Sequence, residues 1–177
     1  MRQNWIKQGL IFKPPKGHPW IASHASVPVP DWIGGKRFRV YFSGRDSQNR
    51  SQIGFFEMDI INPGETLFIA DTPVLSYGEY GTFDEFGASS SWLVDYNNKK
   101  YMYYFGWNLG TSVPFRNAIG LAISSDGGVT FKKYSSGPIL DRSIYDPCFV
   151  ANPCVLIEGG MWRMWYLSCV RWEMVAG

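Results

Sequence analysis

The sequence is poor in charge, in histidine and in cysteine, and each shortage excludes something. Charged residues make up 18% of the 177, and the formal net charge is only +2. No basic run carries interleaved aromatics, so nucleic acid is not an expected partner. The 2 histidines are too few for a histidine-rich metal site, and no metal is expected. The 3 cysteines, Cys148, Cys154 and Cys169, are odd in number and lack metal-ligand spacing. They are expected as buried or half-buried free thiols of a cytoplasmic protein. No apolar run reaches the roughly eighteen residues a membrane span needs. The opening Met1-Arg2-Gln3-Asn4-Trp5 has no apolar stretch of signal-peptide type. There is no P-loop, no G-x-G-x-x-G, and no serine in a G-x-S-x-G elbow, so no cofactor is expected. No segment has helical period.

Aromatics and glycine are plentiful instead, at 17% and 19 residues. They fall in short runs rich in aromatic and β-branched residues, bounded by Gly and Asn turns, which is strand chemistry. The runs repeat. Arg39-Val40-Tyr41-Phe42-Ser43-Gly44 aligns with Tyr101-Met102-Tyr103-Tyr104-Phe105-Gly106 and then with Arg163-Met164-Trp165-Tyr166-Leu167-Ser168. The offsets are 101 − 39 = 62 and 163 − 101 = 62. Each block follows a turn, at Gly34-Gly35, Asn97-Asn98 and Gly159-Gly160. A third strand, Gln52 to Glu57, recurs as Ala118 to Ile123. Four strands at a constant interval predict a β-propeller built of four-stranded antiparallel blades.

The chain is expected as one all-β partial propeller domain over residues 1–177. Residues 1–22 form a lead-in, with a strand at Ile6–Phe12 ended by Pro14-Pro15-Lys16-Gly17. Blade 1 takes 23–70, blade 2 takes 83–134, and an incomplete blade 3 takes 146–177. Ser124-Ser125-Asp126-Gly127-Gly128-Val129-Thr130-Phe131 matches the Asp-box pattern S-x-D-x-G-x-T-F. Its Asp is expected to hold a hairpin turn together, away from the axis.

Several segments carry a resemblance. They are Trp20-Ile21-Ala22-Ser23-His24-Ala25, Tyr41 to Asp46, Gly81-Thr82-Phe83-Asp84-Glu85 and Tyr104-Phe105-Gly106-Trp107-Asn108. Ile119 to Ala122, Asp146-Pro147 and Trp162 to Tyr166 continue it. Together they resemble the five-bladed β-propeller glycoside hydrolase superfamily of arabinanases, β-xylosidases and invertases. They are similar in particular to glycosidase-like proteins of bacterial polysaccharide synthesis. The resemblance implies a carbohydrate partner bound at the propeller axis. It also implies catalysis by acidic residues drawn from successive blades. By position, Asp84 resembles the residue that orients and tunes the acid, and Asp146 or Glu173 is the candidate general acid. His24 stands where the catalytic base is expected, which departs from the pattern, and it is a candidate for substrate contact. An inverting pair needs an acid and a base about 6.5–9.5 Å apart, and carboxylates from separate blades can meet that.

The remaining candidates contact substrate. Arg45 suits a carboxylate or phosphate, which its guanidinium can clamp with two parallel hydrogen bonds. Asp46, Glu85 and Asn108 offer polar contacts beside the axis, and the face of Trp107 suits the apolar face of a sugar ring. A phosphate-dependent phosphorylase, or a non-catalytic sugar-binding or assembly module, is the alternative to a hydrolase. About two and a half blades are expected here, short of the four to eight that close a propeller. Two copies would supply 2.5 + 2.5 = 5 blades, so a two-fold homodimer is expected.

Overall fold

The computed structural model describes residues 3–174. It is all-β, with no helix among the described residues. Ten strands follow in chain order: β1 (Ser23–Gly34), β2 (Arg37–Arg45), β3 (Ser51–Asp59), β4 (Thr66–Ile69), β5 (Gly87–Tyr96), β6 (Lys99–Leu109), β7 (Phe115–Ser124), β8 (Lys132–Lys133), β9 (Phe149–Glu158) and β10 (Met161–Cys169). β1 to β4 pair in sequence order as one antiparallel meander, and β5 to β8 as a second. A single parallel bridge, Ser51 to Gly87, joins the two. β9 and β10 form a separate antiparallel pair.

The 62-residue interval is visible in the strands themselves. β2, β6 and β10 start at Arg37, Lys99 and Met161, with 99 − 37 = 62 and 161 − 99 = 62. Each strand follows a tight turn, and those turns force positive φ at Gly34 and Gly35, Asn97 and Asn98, and Gly159 and Gly160. These are the residue types that tolerate left-handed backbone.

Alternation along the strands decides what each sheet buries. Tyr41, Ile53 and Phe55 of the first sheet meet Ala88, Met102, Tyr104 and Ala122 of the second, with Phe131, Val74 and Leu75 filling between. The opposite face of the first sheet carries Val40, Phe42, Phe56 and Met58. The lead-in covers that face as irregular chain, which corrects the expected strand at Ile6–Phe12. Apart from the Ala22 N–H, which bonds the Arg45 carbonyl at its end, its ties to the sheet are side chains. Phe12 stacks on Phe56 at 4.2 Å, and Trp20 is buried against Phe42 at 5.6 Å. Ile6 and Leu10 stay exposed, because the segment packs by Phe12 over the face of the sheet and pairs along no edge of it.

The first strands β1, β5 and β9 lie side by side. Ser90 donates its backbone N–H to Ser43 Oγ (3.2 Å) and its hydroxyl to the Val27 carbonyl (2.9 Å). Ser91 donates to the Pro153 carbonyl at 2.9 Å. Register shifts between Ser26 and Val29 in β1, between Ser90 and Trp92 in β5, and opposite Trp165–Leu167 in β9 put a bulge in each first strand. Bulges bend and re-aim strands, and they gather near binding sites.

The segment Ser124–Phe131 forms a turn between β7 and β8. Asp126 accepts from the Thr130 hydroxyl at 2.6 Å and from the N–H groups of Val129 and Thr130. Despite some burial, these bonds and one from Ser124 hold its carboxyl well below the usual range. The turn also docks on the first sheet. Arg39 Nη1 donates to the Gly127 carbonyl at 2.8 Å, and Tyr41 donates to the Gly128 carbonyl at 2.7 Å.

Candidate functional site

The candidate residues fall into three environments. The first is a groove of about 250 Å³ at the starts of β1 and β5 and the end of β6, lined by Ser26, Val27, Arg45, Ser51, Ser89, Phe105, Trp107, Phe115 and Asn117. Arg45 and Trp107 both belong to it, and the Arg45 Cζ lies 5.5 Å from the Trp107 ring centre. That geometry is a cation–π contact. Trp107 Nε1 donates to Ser51 Oγ at 3.2 Å, and Phe86 packs on the ring at 5.9 Å, so the indole is fixed from two sides. Asn49 Oδ1 accepts from Arg45 Nη1 at 2.8 Å. Phe115 extends the aromatic wall through contacts with Phe149 (5.8 Å) and Trp172 (5.3 Å). Phe105, Phe115, Asn117 and Ser89 escaped sequence reasoning. The repeat block contains Phe105 without marking it as a site residue, and no motif marks the others; antiparallel register sets Asn117 opposite Trp107, and Phe105 opposite Ser89.

The second environment is a pair of buried carboxylates. Asp84 is 1% exposed and lies three residues before β5. It accepts from the Tyr104 hydroxyl at 3.0 Å, from Lys133 Nζ at 2.6 Å and from the Thr82 hydroxyl at 3.1 Å. Asp146 is 4% exposed and lies three residues before β9. It accepts from the Ser143 hydroxyl at 2.8 Å and from the Tyr166 hydroxyl at 3.3 Å. Hydrogen bonds from Ser168 first, then Ser143 and Tyr166, hold its carboxyl below the usual range. Burial first, then the Asp84 charge, pushes the Tyr104 hydroxyl far up. The two pairs are one device: 146 − 84 = 62 and 166 − 104 = 62.

The first sheet fills the same place with a different side chain. Arg45 pairs with Ser23, as Trp107 pairs with Gly87 and Cys169 with Phe149. Ala22 donates its N–H to the Arg45 carbonyl, as Phe86 does to Trp107 and Cys148 to Cys169. Counting back two more residues sets Trp20 in register with Asp84 and Asp146. A Cβ on Gly44 would meet the Trp20 ring at 2.9 Å, and a Cβ on Gly106 would meet Asp84 Cβ at 2.3 Å. The structural counterpart of Asp84 in the first sheet is therefore Trp20 and not His24. His24 is exposed at the start of β1, with φ 64° and its Nδ1 2.8 Å from Ser23 Oγ.

The remaining candidates form the third environment, in turns and at the rim. Asp46 accepts from Arg50 Nε and from the N–H groups of Gln48 and Arg50, each at 2.9 Å, so it organises the β2–β3 turn. Glu85 accepts from the Gly81 N–H at 2.7 Å in the loop before β5. Asn108 follows Trp107, so the pleat turns it to the other side, into a small cavity with Arg116, Asp141 and Arg142. Glu173 is exposed and ion-paired with Arg171 at 2.5 Å. All three cysteines are free and half-buried, as expected, and burial first, then the Cys148 side chain, raises the Cys169 thiol. No group of three or more His, Cys, Asp or Glu side chains suited to a metal occurs among the described residues.

No family model matches the chain. Two uncharacterised proteins of Mycobacterium tuberculosis, one from each of two strains, are 44% identical to it over 168 residues. The match covers 95% of this chain and 56% of theirs, so the chain spans about half the length of these relatives. Among solved structures, a glycoside hydrolase superposes with TM-score 0.61 at 15% identity, covering 84% of this chain and 43% of its own. A family 117 glycoside hydrolase of Zobellia galactanivorans superposes with TM-score 0.57 at 15% identity, covering 88% and 46%. The chain has an all-β, glycosidase-like fold, of a length that covers under half of each of these two enzymes.

Proposed function

We propose that this chain is the sugar-binding part of a glycosidase-like, carbohydrate-active protein, with the Arg45–Trp107 groove as the binding site. The sheets are then the first blades of a propeller of the five-bladed glycosidase type. The groove lies where their first strands converge, which is where that architecture holds its ligands. The observation that carries the proposal is the fixed, partly open Trp107 face, flanked by Phe105, Phe115, Arg45 and Asn117. Such a face matches the apolar C–H face of a sugar, and the polar rim matches its hydroxyls.

No carboxylate lines this groove. Asp84 and Asp146 are each tied to a tyrosine of the second strand of their own sheet, so their proposed role is to anchor the chain entering β5 and β9. Cleavage at the groove then depends on carboxylates supplied from beyond it. Titration calorimetry with neutral and acidic oligosaccharides, alongside an aryl-glycoside assay, tests this. Binding that Trp107→Ala reduces at least ~10-fold, without turnover by the chain alone, is the expected result. Turnover abolished by Asp84→Asn with binding intact would restore the catalytic assignment.

Assembly is a second proposal. Trp165 is 55% exposed and Leu167 45%, and β10 has one unpaired edge among the described residues. Apolar surface left in water costs about 25 cal/mol per Å², and a bare edge invites pairing. A homodimer through the β9–β10 pair answers both. Light scattering should give twice 20.1 kDa; a stable species at the monomer mass defeats it.

A further inference from the structure

We infer that the ligand of the Arg45–Trp107 groove is an anionic saccharide, whose carboxylate or phosphate is held by Arg45. The inference rests on the sugar-binding proposal above and narrows its substrate class. Arg45 is the only charged residue that lines the groove. The other arginines of the first sheet each have a carboxylate partner within the protein. Arg39 and Arg37 pair with Glu57, and Arg50 pairs with Asp46. Arg45 has no carboxylate partner among the described residues. Its contacts are the neutral Asn49 amide and the face of Trp107.

The nearest acidic side chain in sequence is already committed. Asp46 binds Arg50 and two backbone N–H groups of its turn. The positive charge therefore faces the groove uncompensated, half-buried, and oriented by stacking. Its Nη1 is engaged by Asn49. Its other guanidinium N–H groups have no side-chain or backbone acceptor among the described residues and are left for an anion, which guanidinium grips through parallel charge-assisted hydrogen bonds. A neutral sugar can accept hydrogen bonds from that guanidinium but leaves its charge uncompensated, and so gains less than an anion does. The stacked Trp107 explains why the anion comes attached to a ring: one platform serves both cation and sugar face.

The test is a calorimetric titration of the full chain with three matched probes. These are a neutral disaccharide, the same disaccharide carrying a uronic acid, and the same disaccharide carrying a phosphate; inorganic phosphate is the control. The expected result is that an acidic probe binds at least ~10-fold more tightly than the neutral one, about one decade of affinity. That ratio falls as NaCl is raised. The uronate and phosphate arms identify which anion is used. Arg45→Gln brings the ratio to about 1, Arg45→Lys keeps part of it, and circular dichroism confirms that both variants fold. Equal affinity for neutral and acidic probes overturns the inference and leaves the sugar site standing. Inorganic phosphate binding as tightly as the phosphorylated sugar also overturns it, because no sugar is then recognised. If no saccharide binds, and Trp107→Ala changes nothing, the sugar site itself is wrong and the inference falls with it.

Discussion

The first and second sheets solve the same structural problem with opposite chemistry. In each, the chain entering the first strand must be fixed to the second strand and to the edge of the sheet. The first sheet uses an apolar plug. Trp20 stacks on Phe42, fits over Gly44, and donates its indole N–H to the Ala70 carbonyl at 2.8 Å, just past β4. The second sheet uses a buried ion. Asp84 sits over Gly106, accepts from Tyr104, and pairs with Lys133 of β8. The β9–β10 pair keeps the Asp–Tyr half, as Asp146 and Tyr166. A carboxylate that a tryptophan replaces in the neighbouring repeat is more economically explained by anchoring than by chemistry. An ion also differs from a plug in how it fails. A plug that is lost leaves a cavity, whereas an ion that loses its partner leaves a buried charge.

Breaking each anchor should therefore give comparably large losses by different routes. Trp20→Ala should cost ~3–5 kcal/mol, the range for deleting a buried aromatic. Lys133→Met should cost up to ~3–5 kcal/mol, because Asp84 is left buried and uncompensated. Urea denaturation measures both. The charged route has a signature the apolar one lacks: adding Asp84→Asn to Lys133→Met should recover a large part of the loss. If the double variant is no more stable than the single one, Asp84 is not the partner that matters.

Smaller effects sharpen the comparison within the Asp–Tyr pairs. Tyr104→Phe removes a hydrogen bond to a buried carboxylate, worth ~1.5–3 kcal/mol. Tyr166 is 39% exposed, and Tyr166→Phe should cost clearly less, because water can replace the bond. Equal losses would show that the two pairs are equally dry.

The pH dependence follows with its sign. Burial and the Asp84 charge raise the Tyr104 pKa, and burial first raises that of Tyr41. A raised pKa contributes stability that is complete below the ordinary tyrosine value of about 10 and is lost as pH rises beyond it. Unfolding free energy should fall on the alkaline side, less so in Tyr104→Phe. Asp146 behaves oppositely. Its pKa is lowered, so its stabilisation is present above the ordinary aspartate value of about 3.9 and disappears as pH falls below that. Asp146→Asn should flatten this acid limb, the weakest of the expected effects.

Much of the architecture was legible in the sequence because strand repetition is a local property. A second strand such as Lys99–Leu109 declares itself by composition, by its Asn97-Asn98 turn, and by recurrence at 62 residues. Tyr104 and Tyr166 obey the same interval as Asp84 and Asp146, so the Asp–Tyr pairing was available to inspection and was overlooked. Trp20 was not available that way. The bulged β1 shifts its register by two residues, so Trp20 lies 64 residues from Asp84 and escapes the count. The lead-in departs from its composition for a related reason: Ile6–Phe12 has strand composition, but it packs by Phe12 on the face of the first sheet and pairs along no edge of it.

Composition and periodicity by themselves determined the all-β class, the order and spacing of the strands, and the turn chemistry, because each depends on neighbours within a few residues. Tertiary structure alone decided which side chains share a site. Register set Asn117 opposite Trp107, the pleat parted Asn108 from Trp107, and the loop before β5 buried Asp84 against Lys133, at the wall of a cleft separate from the Arg45–Trp107 groove. Those outcomes turn on pairing between residues 10 to 49 positions apart, and a shift of one residue in register exchanges one face of a strand for the other.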